Sequence, residues 1–316
     1  MIWVGAKILW QNLQESCDME YFVQQIMNAF AFGAEYALLA LGLAIVFSIM
    51  GLVNFAHGEM IAVGGYTMVA AAALAVQNPL IIIAAAIVVA MVASVTLERV
   101  AFRPVRYADP TTGLLTAFGV SIILQNIFLL VVSPRPIAVT SLYFLEWSVD
   151  IGGISVSSLQ LFEAITTFVV IALLMLFLKR TLLGLAMRAA SLDFEMVRLS
   201  GVRANRVFAI AFMISGLLAG IACVFIMARR GAVDPHLGFD PVLKAFVACV
   251  VGGFGSLPGA VLGGFLLGAV EVAMLVMLPQ SLGGMTDAFV FGIIALLLVW
   301  RPDGILSPPT EKGDKH

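Results

Sequence analysis

Gly51-Leu-Val-Asn-Phe-Ala-His-Gly-Glu-Met60 stands between two long apolar runs, Ala29–Met50 before it and Met60–Val76 after it. It places Asn54, His57 and Glu59 within six residues of one another. Polar residues there form either a plain loop between two membrane spans or a break in the chain made for a purpose. The two alternatives lead to different folds, and the rest of the sequence bears on the choice.

The 316 residues are 62% hydrophobic and 11% charged, with a mean hydropathy of +1.08. Soluble domains are typically about 45–50% apolar and about 25% charged. The excess does not fit one aqueous core, so the chain reads as an integral membrane protein. A net charge of −2 supplies no basic field for nucleic acid. Cys223 and Cys249 lie inside apolar runs and Cys17 is isolated, so no disulfide framework or metal spacing follows. The N-terminal MIWVGAKILWQNLQESCDMEYF lacks the basic, apolar, small-residue order of a cleaved signal. Residues 1–28 are taken as an N-terminal extension and 307–316 as a polar tail, on either side of one transmembrane domain over 29–306.

A span needs roughly 20 apolar residues. Eight candidates are Ala29–Met50, Met60–Val76, Leu80–Leu97, Gly113–Val132, Phe162–Leu178, Val207–Ala228, Ala260–Leu278 and Gly283–Trp300. A ninth, Leu237–Gly253, carries Asp240 and Lys244. Twelve of the seventeen basic residues fall in Glu98–Thr112, Lys179–Arg206 and the segment after Trp300. Cytoplasmic loops collect Lys and Arg. Nine spans put all three basic segments on one face, giving an N-terminus outside and a C-terminus inside. Arg229 and Arg230 then violate the rule mildly, offset by Asp234 and Asp240.

A shift of 180 residues lays Ala29–Met50 on Val207–Ala228 and Leu80–Leu97 on Ala260–Leu278. It also lays Gly51, Val53, Asn54 and Gly58 on Gly231, Val233, Asp234 and Gly238. Five spans separate the partners, an odd number, so the halves 29–132 and 207–300 would point in opposite directions. Inverted repeats with matched interruptions mark the central pathway of many transporters. Phe162–Leu178 would be the linker helix between them. A second Gly-rich passage, Gly252–Gly268, contains Gly252, Gly253, Gly255, Gly259 and Gly263. Its four-residue spacing suits close helix approach. It reads equally as a tight turn with a packing helix or as part of the pathway.

Gly184–Val207 is a polar segment with a helical stripe at Leu185, Ala189, Leu192, Met196 and Leu199. Arg188, Ser191, Glu195 and Arg198 recur on another face, Asp193 lies between them, and Gly201 is placed to end the helix. A lipid-surface helix is usually uniformly basic. Mixed acid and base favours a helix that docks in a partner's groove. The chain has no GxxxxGK[ST] nucleotide loop.

GLVNFAHGEMIAVGGY, LERVAFRPVR, LLTAFGVSIILQN, MRAASLDFEMVRLSGVRANRV, GGFGSLPGAVLGGFLLG and RPDGIL, taken together from about Gln25 to Leu306, resemble the branched-chain amino acid ABC-importer permeases. The closer likeness is to the first of the two permease subunits of such systems. The resemblance implies an all-α polytopic membrane protein of about eight or nine transmembrane helices, with an inverted repeat of the type II kind. It also implies a second homologous permease, two ATP-binding subunits that hold ATP and Mg, and a periplasmic substrate-binding protein. This chain itself would bind no cofactor, catalyse no covalent step and sit among lipid in the bacterial inner membrane. Residues 184–206 would seat on an ATPase subunit, with Arg188, Ser191, Asp193, Glu195, Arg198 and Gly201 carrying the coupling. Relatives that import urea or short amides are the alternative. A secondary transporter or a channel would work without an ATPase partner.

Ionisable residues in or near spans are Glu35, His57, Glu59, Glu163, Lys244, Glu271 and Asp287. Such groups are costly in a membrane and point to function with a partner. His57 and Glu59, two apart, do not share a helical face, which argues against a proton relay between them. His57 is expected to bond neighbouring backbone. Asn54 and Glu59 are expected to cap the helix that starts near Met60.

Overall fold

The computed structural model describes residues 2–306 except 107, 140, 146, 152, 153 and 303. For residues 2–19, and for 110, 149–151, 154–156, 195, 204 and 280, it describes the backbone alone. The helices are α1 (Ile2–Met50), α2 (Glu59–Ala73), α3 (Pro79–Leu97), α4 (Pro110–Val131), α5 (Ser158–Arg180), α6 (Leu182–Leu192), α7 (Phe194–Leu199), α8 (Ala204–Arg230), α9 (Phe239–Gly252), α10 (Leu257–Met277) and α11 (Thr286–Trp300). Helix α1 runs unbroken through residues 28 and 29. Besides short helical turns there are two antiparallel pairings: β1 (Ile137–Ala138) with β4 (Ala232–Val233), and the hairpin β2 (Ser148–Ile151) with β3 (Ile154–Ser157).

Among the described residues seven helices are long and apolar enough to cross a membrane: α1, α3, α4, α5, α8, α10 and α11 with their flanking turns. The expected spans Met60–Val76 and Leu237–Gly253 emerge differently. Helices α2 and α9 have 15 and 14 residues. At 1.5 Å per residue they reach only about 22 Å, short of the roughly 30 Å hydrocarbon core. The cause lies in Gly51–Gly58 and Gly231–Gly238, where the α-helix is interrupted, in the first by a 3₁₀ turn at Phe55–His57.

Helix starts follow local chemistry. Asn78 accepts from the Leu80 N–H ahead of Pro79, and Ser256 accepts from the Gly259 N–H around Pro258. Both put proline in the first turn, where its missing N–H costs nothing. Helices α1 and α8 form the buried centre. They run antiparallel, since Glu35 meets Arg229 while Gly42 lies beside Ser215. Helix α10 packs on α1 and α3 packs on α8. Small residues make both approaches close: a Cβ on Gly264 would lie 2.4 Å from Ala37 N, and one on Gly216 would lie 2.8 Å from Ala90 O. In a bilayer, where apolar burial drives association little, such backbone approach gains dispersion contacts.

The basic segments gather at one end. Arg106 bonds buried Glu98 at 2.8 Å and Asn205 at 2.8 Å, and lies 4.0 Å over the Phe208 ring. That joins the turn after α3 to the start of α8. Ile305 N–H bonds Val251 O, and Leu306 N–H bonds Gly252 O, tying the chain after α11 to the end of α9. Arg229, Arg230 and the β1–β4 pair lie at the other end of α8.

Candidate functional site

The two breaks are built alike. Gly51 and Gly231 both have φ +66°, the left-handed conformation that glycine adopts without strain. Each closes its helix with an i−4 bond, Gly51 N–H to Phe47 O at 2.8 Å and Gly231 N–H to Met227 O at 2.9 Å. Asn54 O then accepts from His57 N–H, and Asp234 O accepts from Leu237 N–H. Each of these atoms has its counterpart 180 residues away. The breaks end on each other: a Cβ on Gly58 would lie 2.2 Å from Gly238 O, and one on Gly238 would lie 2.2 Å from Gly58 O. The N-termini of α2 and α9 thus abut at a contact only glycine permits.

The contact is deep. His57 faces Gly42 and Ser215. Gly42 is eight residues from the end of α1, and Ser215 is eleven from the start of α8. At 1.5 Å per residue, these lie about 12 and 16 Å along the helices. GLVNFAHGEM is therefore a break inside the bundle and no surface loop.

Its side chains diverge. His57 is buried, with Nδ1 2.8 Å from the Ser215 hydroxyl on α8, a side-chain support that the sequence did not announce. The ring fills the space beside Gly42, where a Cβ would come within 2.5 Å of Cε1. Glu59 points elsewhere: its Oε1 accepts from Ser121 Oγ at 2.8 Å and from Gln125 Nε2 at 2.7 Å, both on α4. Gln125 Oε1 continues to His236 Nδ1 at 3.1 Å, on the second break. Asp234 accepts from the His236 N–H and lies 3.7 Å from Arg230. The capping expectation is corrected. Gly58 is the N-cap of α2, Asn54 makes no side-chain cap bond, and Glu59 bonds α4 instead. Asn54 Oδ1 and Glu59 Oε2 are buried without a hydrogen-bond partner among the described residues.

A second polar cluster lies towards the far end of α8. Arg229 bridges Glu35 on α1 at 2.9 Å and Glu163 on α5 at 2.6 Å, its guanidinium 4.4 Å over the Phe32 ring. Lys244 on α9 bridges Glu271 at 2.7 Å and Asp287 at 3.1 Å, while Tyr36 donates to Glu271 at 2.6 Å. These pairs answer the desolvation cost of charge in an apolar bundle. Every ionisable residue expected to need a partner has one, His57 and Glu59 through neutral groups.

The Gly252–Gly268 passage is a turn followed by a packing helix. Gly253 and Gly255 take positive φ, Ser256 caps α10, and Gly259 packs on Gly252 with 2.2 Å between its built Cβ and Gly252 O.

The segment 184–206 is two helices where the periodicity had suggested one. Asp193 ends α6 and caps α7, its carboxylate accepting from Met196 N–H at 3.0 Å. Thr181 caps α6 through Gly184 N–H, and Gly201 (φ +82°) follows α7 as its terminator. Gly184, Met187, Ala190 and Val197 face the bundle, whereas Leu185, Leu192, Met196 and Leu199 of the expected stripe are exposed. Arg188, Ser191, Asp193 and Arg198 are exposed too, and the Glu195 side chain lies outside the described residues.

Sequence reasoning missed Glu98, Ser121, Gln125, Ser215 and the bridging role of Arg229. Glu98 had a signal, an acid among three arginines in LERVAFRPVR. The others announce nothing locally. Among the described residues no group of three His, Cys, Asp or Glu could hold a metal ion.

A multi-span α-helical bundle in which two shortened helices abut at their N-termini defines the class: a polytopic membrane permease. The chain belongs to the family described as "Branched-chain amino acid transport system / permease component", whose model matches residues 25–299. It is 36% identical over 303 residues to the high-affinity branched-chain amino acid transport system permease protein BraD of Pseudomonas aeruginosa, covering 92% of this chain and 98% of that protein. It is 36% identical over 300 residues to the permease protein LivH of Escherichia coli K12, covering 92% and 96%. Similarity to the xylose transport system permease protein XylH of E. coli K12 is 35% over 127 residues, 38% of this chain and 32% of that protein.

Proposed function

We propose that the chain is one of two transmembrane subunits of an ATP-driven importer that carries branched-chain amino acids across the bacterial inner membrane. The observation that carries this reading is the 36% identity, along 92% of the chain, to permeases named for high-affinity branched-chain amino acid transport. A second homologous permease completes the pathway, two ATP-binding subunits hydrolyse ATP with Mg, and a periplasmic binding protein delivers substrate. The face of α6 and α7 that carries Arg188, Leu192, Met196 and Arg198 receives an ATP-binding subunit. Its exposed apolar residues, beside charges of both signs, support that role.

The halves are an inverted repeat. Support comes from the paired φ angles at Gly51 and Gly231, the matched bonds 180 residues apart, the Gly58–Gly238 contact and the antiparallel course of α1 and α8. Counting α2 and α9 as crossings completed by their breaks gives nine. The basic end then faces the cytoplasm and the N-terminus the periplasm. ATP-driven closure of the ATPases pulls on α6 and α7, and rocking of the halves about the abutting glycines opens the path to each side in turn.

The test is co-expression with the second permease and the ATP-binding subunits, then reconstitution with the binding protein. ATP-dependent uptake of labelled leucine, isoleucine or valine is expected. A chain that never retains an ATP-binding subunit, or that takes up leucine on an ion gradient alone, would overturn the reading; uptake of urea or amides in place of leucine would reassign the substrate.

A further inference from the structure

Between α1, the end of α8 and the start of α9 lies an open cavity of about 210 Å³. It is smaller than the roughly 300–1,000 Å³ of pockets for drug-sized ligands and suits a molecule of amino-acid size. Phe32, Ile226 and Pro241 give it apolar wall. Of its charged residues, Arg229 is held by Glu35 and Glu163, and Lys244 by Glu271 and Asp287. Two residues of opposite sign are more weakly held or unpaired. Arg230 is half-exposed and reaches Asp234 only at 3.7 Å. Asp240, in the first turn of α9, is exposed and makes no ion pair or side-chain hydrogen bond among the described residues. Both line the cavity, one on each side of the break 231–238.

Exposed charges of opposite sign at the rim of a cavity with an apolar wall are available to the two ends of a zwitterion. We propose that this cavity is a receiving site within the permease for the zwitterionic head group of a free amino acid, with Arg230 taking the carboxylate, Asp240 the ammonium and the apolar wall the branched side chain. The committed pairs beneath hold the cavity's shape. Because Arg230 ends α8 and Asp240 begins α9, a ligand spanning them closes the outer mouth of the second break and senses its geometry. The inference rests on the function proposed above and adds the ligand's polar contacts to it.

The experiment uses the complete purified importer without its soluble binding protein, titrated calorimetrically with leucine, with 4-methylpentanoate (no ammonium) and with 3-methylbutylamine (no carboxylate). Leucine is expected to bind at least tenfold more tightly than either analogue. Arg230→Gln should weaken leucine at least tenfold and leave 3-methylbutylamine unchanged. Asp240→Asn should weaken leucine similarly and leave 4-methylpentanoate unchanged, while Arg230→Lys should retain leucine. A variant that merely misfolds would lose all three ligands together, or fail to elute with its partners, and the retained analogue excludes that. Leucine binding that ignores both substitutions, or no leucine binding by an importer that still takes up leucine, overturns the site and leaves the proposed function standing. Failure of the wild-type importer to take up any branched-chain amino acid overturns that function, and this site's ligand with it.

Discussion

A methyl group at Gly58 would sit 2.2 Å from a carbonyl oxygen of the opposite break, with the Val242 side chain at 2.8 Å. Neither neighbour is the far end of a flexible side chain, so the backbones of both breaks must part. Gly51→Ala meets open space and bears only the strain of its positive φ, a cost of about 1–2 kcal/mol. Gly58→Ala and Gly238→Ala are expected to cost about 3 kcal/mol or more, at or beyond the upper end for overpacked sites. Thermal unfolding in detergent checks the order: equal losses at Gly51 and Gly58 would deny the contact its role. Ser215→Ala strands His57 Nδ1 in a buried site, for about 1–3 kcal/mol. The positions of both breaks were readable, because glycines and polar residues stand out in apolar sequence and recur at one spacing. Their side-chain partners were not. Ser215 lies 158 residues from His57 and Ser121 lies 62 from Glu59, and the register of packed helices determines which serine meets which residue.

At the level of helices, Arg229 clamps α1, α5 and α8 together. Charge counting along the sequence registered it only as a basic residue on the wrong side, because that arithmetic cannot see partners 194 and 66 residues away. Arg229→Met should be strongly destabilising, by about 3–5 kcal/mol, since it leaves two carboxylates buried without a cation. Adding Glu35→Gln and Glu163→Gln should recover most of that loss, read as the melting temperature of the purified protein. No recovery would mean the arginine acts chiefly through its stacking on Phe32. The split of the 184–206 segment was equally hidden. The apolar stripe keeps its outward direction across Asp193, so periodicity alone cannot report the interruption. Asp193→Ala removes the cap of α7, at a cost of about 1 kcal/mol. It should loosen binding of the ATP-binding subunit while leaving the permease folded, an outcome separated by pull-down and by elution profile.

Across the described residues, seven spanning helices and two shorter ones make nine crossings only if each break completes the passage of its chain. The Gly58–Gly238 contact supplies the geometry, because α2 and α9 start at a shared point and α1 and α8, which feed them, run antiparallel. Long apolar runs made the bundle readable from composition, yet no count of apolar residues distinguishes a full span from a half-span joined to a break. If α5, the one helix between them, crosses the membrane, α6 and α7 lie on the side opposite the hairpin β2–β3. Single cysteines at Leu192 and at Tyr143, both exposed, test this directly. Cys223 and Cys249 are buried and leave little background, and Cys17 is first replaced. In intact spheroplasts an impermeant maleimide should label Tyr143→Cys and spare Leu192→Cys, with the pattern reversed in inverted vesicles. Labelling of both sites from one side would require an even number of crossings between them and would remove the inverted relation of the two halves, on which the alternating-access mechanism depends.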